Sequence, residues 1–206
     1  MSVIEILDLI AVFIFALTGA LVASRAQLDL VGFVFIACLT AVGGGTVRDV
    51  ILDRGVFWVE DPNFILVATS AALLVFFTAH FLESRLKAIF WLDAIALAVA
   101  VPAGVAAAIN LGVEWPIVLI MGVSTGCFGG LMRDVVCNEV PLVLKQGELY
   151  VTCAFAGAGA ALLLVQLEQP LGIALLACAG TTFALRAGSL GLGWRLPVYK
   201  SRPPRR

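Results

Sequence analysis

Apolar residues in this chain fall in long, nearly unbroken runs, with no strict alternation and no heptad spacing. A bilayer-spanning helix needs about 20 mostly apolar residues. Seven runs meet or approach that length, at roughly 3–24, 30–52, 63–82, 89–109, 115–137, 149–167 and 170–187. Between them lie RAQLD, DRGVFWVEDPN, ESRLK, NLGVE, NEVPLVLKQGE and LEQP, which carry loop chemistry. The last break is short and predicts a tight hairpin between the sixth and seventh helices. Trp58, Trp91, Trp115 and Trp194 fall at predicted span ends, where indole rings sit at membrane–water interfaces. The pattern predicts an all-α, polytopic membrane protein with seven transmembrane helices in a single domain covering 1–206.

Composition strengthens this reading. Hydrophobic residues make up 62% of the chain and charged residues 13%, with a mean hydropathy of +1.07. Soluble domains are about half apolar and about a quarter charged, so this chain has too little polar surface for a water-soluble globule. The formal net charge of −1 gives no overall field for nucleic acid. The N-terminal MSVIEILDLI lacks the positive region of a cleaved signal, so the first run is expected to stay as a helix. Cys38, Cys127, Cys137, Cys153 and Cys178 are scattered through apolar runs without metal-ligand spacing and read as small apolar residues. With one histidine, His80 at a span end, no nucleophilic or metal constellation forms, so neither an enzyme nor a cofactor site is expected. GGGTVRD does not match the phosphate-cradling loop GxxxxGK[ST], so nucleotide-driven pumping is unsupported.

Basic residues set the expected orientation. Arg195, Lys200, Arg202, Arg205 and Arg206 follow the seventh run, so the tail at 195–206 is expected in the cytoplasm and the N-terminus outside. Arg25, Arg85, Lys87 and Lys145 then fall in inner loops, and Arg54, among Asp53, Glu60 and Asp61, is the outer exception. The tail also offers charge to anionic membrane lipids.

Shifted by 85 residues, the chain matches itself: Asp8 on Asp93, Gly19 on Gly104, Thr40 on Thr125, Gly44 and Gly45 on Gly129 and Gly130, Arg48 and Asp49 on Arg133 and Asp134. The two copies, about 3–82 and 88–167, hold three spans each. An odd number forces the second copy to enter the membrane from the opposite side, giving an inverted three-plus-three repeat with a pseudo-two-fold axis in the membrane plane. The seventh helix, about 170–187, stands outside the repeat.

The repeated motif is GGGTVRD at 43–49 and FGGLMRD at 128–134. Glycine costs a helix about 1 kcal/mol relative to alanine, so Gly43, Gly44 and Gly45 predict a point where the second helix bends or unwinds. Gly129 and Gly130 predict a similar point in the fifth, made bulkier by Phe128. Unwound backbone at membrane depth must be buried in protein or face water. Ionised side chains there face an interior or an aqueous cavity. Arg48 and Asp49 are adjacent and project about 100° apart on a helix, so each is expected to need a partner elsewhere. The repeat geometry pairs Asp8 with Arg48 on one side and Asp93 with Arg133 on the other. Thr40, Ser124 and Thr125 place hydroxyls before the glycines, either for a hydrated ion or for their own helix backbone. Ala154, Gly157, Ala158 and Ala161 form a small-residue face suited to close helix contact.

A three-plus-three repeat carrying GGGxxRD and GGxxRD, followed by a seventh helix, resembles the prokaryotic branch of the trimeric intracellular cation (TRIC) channels. The resemblance covers about 1–190. It implies a homotrimer in the bacterial inner membrane, with one pathway per protomer for potassium and other monovalent cations. By motif, the pathway residues are Gly43, Gly44, Gly45, Arg48, Asp49, Thr125, Phe128, Gly129, Gly130, Arg133 and Asp134, with Asp8 and Asp93 as ion-pair partners. The alternative is a secondary transporter of a small solute such as glycine, built on the same inverted repeat.

Overall fold

The computed structural model describes residues 2–81 and 85–198, and those residues are almost wholly helical. The tail residues Lys200, Arg202, Arg205 and Arg206 lie outside the described residues. Among the described residues eight α-helices follow in order: α1 Val3–Arg25, α2 Leu30–Ile51, α3 Phe57–Glu60, α4 Asn63–Thr78, α5 Arg85–Asn110, α6 Trp115–Val136, α7 Val151–Gln166 and α8 Leu171–Leu192. Short 3-10 turns at Ala79–Phe81 and Leu142–Leu144 complete them.

Local sequence explains several boundaries. Ser2 and Glu5 form a reciprocal capping box at the start of α1. Asp29 caps α2 by accepting a 2.8 Å hydrogen bond from the Gly32 amide. Gly193, at φ 72°, ends α8 in the left-handed conformation that glycine adopts without penalty.

Six of the helices are long and apolar enough to cross a membrane, and α7 is a shorter apolar helix. The expected sixth span at 149–167 is thus trimmed to 16 residues, about 24 Å at 1.5 Å per residue. Its N-terminal end is diverted. Gly147 takes φ 80°, Glu148 pairs by a β-bridge with Arg195, and the Leu149 amide donates to Ser189 Oγ. The expected loop 53–62 instead contains the helical turn α3. The seventh span runs to Leu192, past its predicted end at 187, because Arg186 and Gly188 are buried in the protein and hold that end of α8 on the bundle.

Packing follows the repeat. α1 packs on α2 and α4, as α5 packs on α6 and α7; α1 meets α5, and α2 meets α6. One apolar core is drawn mainly from α1, α2 and α4, and the other from α5, α6, α7 and α8. The small face of α7 is used as expected. Ala154, Gly157, Ala158 and Ala161 are buried, and a Cβ at Gly157 would collide with Thr182 of α8.

Candidate functional site

The two glycine segments do not unwind. Both lie within uninterrupted α-helix, which corrects the expected unwinding. The reason is helix contact. A Cβ at Gly44 would run into the carbonyl of Thr125, and a Cβ at Gly129 into the carbonyl of Thr40. These contacts are mates under the 85-residue shift, so α2 and α6 cross antiparallel, backbone against backbone. The dispersion gained at such a crossing offsets the low helix propensity of glycine.

Each glycine has its own neighbour. A Cβ at Gly43 would sit 2.8 Å from Met132 Sδ, and one at Gly45 would sit 2.6 Å from the Phe57 ring. A Cβ at Gly130, the mate of Gly45, would sit 3.4 to 3.6 Å from Tyr150 Oη, Asp93 Oδ1 and Arg133 Nη2. Phe128 is half-buried and packs on the second apolar core. The hydroxyls turn inward to their own helices: Thr40 Oγ1 donates to the Ile36 carbonyl and Thr125 Oγ1 to the Met121 carbonyl, both at 2.6 Å. Ser124 Oγ donates to the same Met121 carbonyl at 3.2 Å.

From each crossing glycine, an arginine lies four residues on, about 6 Å along the helix axis and in opposite directions. At the first, Arg48 Nη1 and Nη2 donate to Asp8 Oδ1 and Oδ2 at 2.8 and 3.0 Å, a bidentate fork. Arg48 Nε donates to Asp49 Oδ1 at 2.8 Å, and Asp49 Oδ2 accepts from the Phe57 amide at 3.0 Å. At the second, Arg133 Nη1 donates to Asp93 Oδ1 at 3.0 Å and Arg133 Nε to Asp134 Oδ1 at 2.8 Å. Asp134 Oδ2 accepts from the Leu142 amide at 2.9 Å. Phe57 and Leu142 are again 85 residues apart.

The adjacent Arg and Asp therefore do bond to one another, against expectation. The long guanidinium curls back so that its Nε meets the neighbouring carboxylate, while both Nη atoms of Arg48, and Nη1 of Arg133, reach across to the helix that opens the same repeat. Both arginines are fully buried, and all four aspartates are nearly so. A buried guanidinium needs such pairing, because an unpaired ion in low dielectric costs several kcal/mol; Arg48 is fully bonded, while Arg133 Nη2 has no hydrogen-bond partner among the described residues.

The two clusters are not equivalent. The first opens onto a cavity of about 340 Å³, whose wall includes Glu5, Asp8, Arg54, Glu60 and Asp61. The second borders a cavity of only about 10 Å³, among Arg25, Arg133, Asp134, Glu139 and Lys145. That is room for about one water molecule. The mouths also differ in charge at equivalent positions, since Arg54 and Glu60 correspond to Glu139 and Lys145. Two further bonds tighten the second cluster: Thr18 Oγ1 accepts from Arg133 Nη1 at 2.9 Å, and Tyr150 Oη donates to Asp93 Oδ2 at 2.5 Å. Their counterparts beside the first cluster, Ala103 and Ile65, have no hydroxyl. Thr18 and Tyr150 are site residues that the motif alone does not reveal, because neither is repeated.

Comparison with known proteins shows the family to which the chain belongs. A family model described as glycine transporter matches two segments, residues 5–80 and 90–166, whose starts are 85 apart. The inner membrane protein YadS of Escherichia coli K12 is 35% identical over 94% of both chains. A crystal structure of the TRIC orthologue from Rhodobacter sphaeroides superposes with a TM-score of 0.90 at 41% identity, over 94% of this chain and 100% of that one. The chain belongs to the TRIC channel family. A second TRIC structure, a prokaryotic channel in 0.5 M KCl, superposes at 0.86 with 25% identity, over 93% and 97% of the two chains. The TRIC fold thus accounts for the whole bundle, including α7 and the extra-repeat helix α8.

Proposed function

We propose that this protein is a passive channel for monovalent cations, chiefly potassium, with a pathway through each protomer of a homotrimer in the inner membrane. The observation that carries the reading is the pair of buried Arg–Asp–Asp clusters on opposite sides of the α2–α6 crossing. At the second cluster two carboxylates stand against one guanidinium, a formal charge of −1 that favours positive ions. At the first, Arg54 Nη1 also stands 3.9 Å from Asp49 Oδ1 and brings the formal sum to zero, so neither buried arginine repels a cation as an isolated charge would. The TRIC channels similar to this chain supply the ion class and the trimer.

In this reading Gly44 and Gly129 join the two helices that carry the clusters, and Arg48, Asp49, Arg133 and Asp134 face the ion. The acidic cavity beside Asp8 is the outer vestibule, since the basic loops and tail put the first cluster outside and the second at the cytoplasmic side. With about 10 Å³ at the inner end, the arrangement is a closed one. Conduction requires the second cluster to part.

Purified protein in planar bilayers under asymmetric KCl tests the reading. The expected reversal potential follows the cation gradient and stays unchanged when chloride is replaced by a larger anion. A carrier of glycine is the second reading, favoured by the description of the matching family model; the Arg–Asp pairs offer complementary charges to a zwitterion. Saturable glycine counterflow in proteoliposomes that pass no ion current would decide for the carrier.

A further inference from the structure

Arg186 is a fully buried arginine on α8, the helix outside both repeats, and the charged clusters do not use it directly. Its guanidinium carbon lies 4.9 Å from the centroid of the Tyr150 ring. Nη1 donates to the Leu149 carbonyl at 3.1 Å, and Nη2 stands 3.1 Å from Glu148 Oε2 as an ion pair. Nε has no hydrogen-bond partner among the described residues. A buried arginine so modestly bonded is held chiefly by the aromatic face and by charge.

That face belongs to the residue whose hydroxyl completes the second cluster. Tyr150 Oη donates to Asp93 Oδ2, and Asp93 Oδ1 accepts from Arg133. A line therefore runs from α8 through the Tyr150 ring to the closed end of the bundle. The first cluster has no such line, because Ile65 stands in place of Tyr150 and no helix of the first repeat corresponds to α8.

We propose that Arg186 is a positioning residue that holds the Asp93–Arg133 cluster closed through Tyr150, so that α8 governs one of the two clusters and not the other. The cation fixes the ring by its quadrupole and packing, and the fixed ring aims the hydroxyl at Asp93. The 147–150 strap, tied to α8 through Ser189 and to the segment that follows it through Arg195, keeps the pair in register. The consequence for gating rests on the channel reading above; the positioning role does not.

Hydrogen exchange of the protein in lipid nanodiscs tests the positioning role. The Leu142 amide reports the second cluster through Asp134, and the Phe57 amide reports the first through Asp49. Tyr150→Phe keeps the ring and removes the hydroxyl; Arg186→Gln removes the cation. Each is expected to speed exchange at 140–144 roughly tenfold and to leave 55–59 unchanged. The double variant is expected to be no faster than the quicker single one, and Arg186→Lys to recover most of the protection. Equal acceleration at both clusters, additive effects in the double variant, or unchanged exchange at 140–144 would overturn the proposal. Should Arg186→Gln fail to fold, Tyr150→Phe and Arg186→Lys carry the same comparison. In bilayers, Tyr150→Phe and Arg186→Gln should raise open probability and keep the unitary conductance. A changed conductance with unaltered gating rejects the gating consequence. A wild-type protein without current rejects the channel reading and its gating consequence, and the exchange data then decide the positioning role alone.

Discussion

Arg48 and Arg133 are the side chains on which the interior depends, because each is a full charge with no exposed surface of its own. Removing a carboxylate leaves that charge uncompensated, and breaking a buried pair in this way costs about 3–5 kcal/mol. Asp93→Ala is expected to lower thermal stability by that amount in detergent. Asp8→Ala should cost less, because the 340 Å³ cavity lets water reach the vacated side of Arg48. Equal losses would mean that the two clusters are equally dry. The pairing of each arginine with the upstream aspartate was legible in the sequence, since both residues recur at one offset and end on the same side of the membrane. The bond between neighbouring Arg and Asp was not legible. Helical projection gives the direction of a Cβ, whereas a guanidinium on three methylenes can turn back by more than 100°.

Among the helices, α2 and α6 are set by backbone contact, not by interlocking large side chains. Gly44→Ala and Gly129→Ala each insert a methyl against a carbonyl that has no room to move. Overpacking of this kind costs about 1–3 kcal/mol, and here it also separates the two helices that carry the clusters. Both variants are expected to unfold at lower temperature and to conduct abnormally. Gly159→Ala in α7 is the control: nothing lies within 4 Å of its missing Cβ, so it should be neutral or gain up to about 1 kcal/mol from helix propensity. A sequence reading sees three consecutive glycines as weakness, because propensity is a property of one helix. Whether low propensity yields a break or a crossing depends on what the neighbouring helix brings, and that is a tertiary fact.

For the whole molecule, the inverted repeat would make both ends alike, and the structure departs from that symmetry at a few unrepeated residues. Arg54 and Glu60 at one mouth stand opposite Glu139 and Lys145 at the other. If the acidic cavity is the entrance for cations, neutralising it with Glu60→Gln and Asp61→Asn should reduce conductance several-fold at low salt. At about 1 M salt, where the Debye length is about 3 Å, the difference should largely vanish; a deficit that persists would point to altered packing instead. By itself the sequence determined the apolar helices, the duplicated three-helix unit and the charged pair in each copy, because these follow from composition, from periodicity and from the cost of an unpaired ion in lipid. Only the tertiary structure decided that the glycines join helices, that α7 is cut short by its strap, and that Thr18 and Tyr150 bond to one cluster while the other meets a larger cavity. Those choices rest on single side chains from distant segments meeting in space, and no pattern along the chain encodes such a meeting.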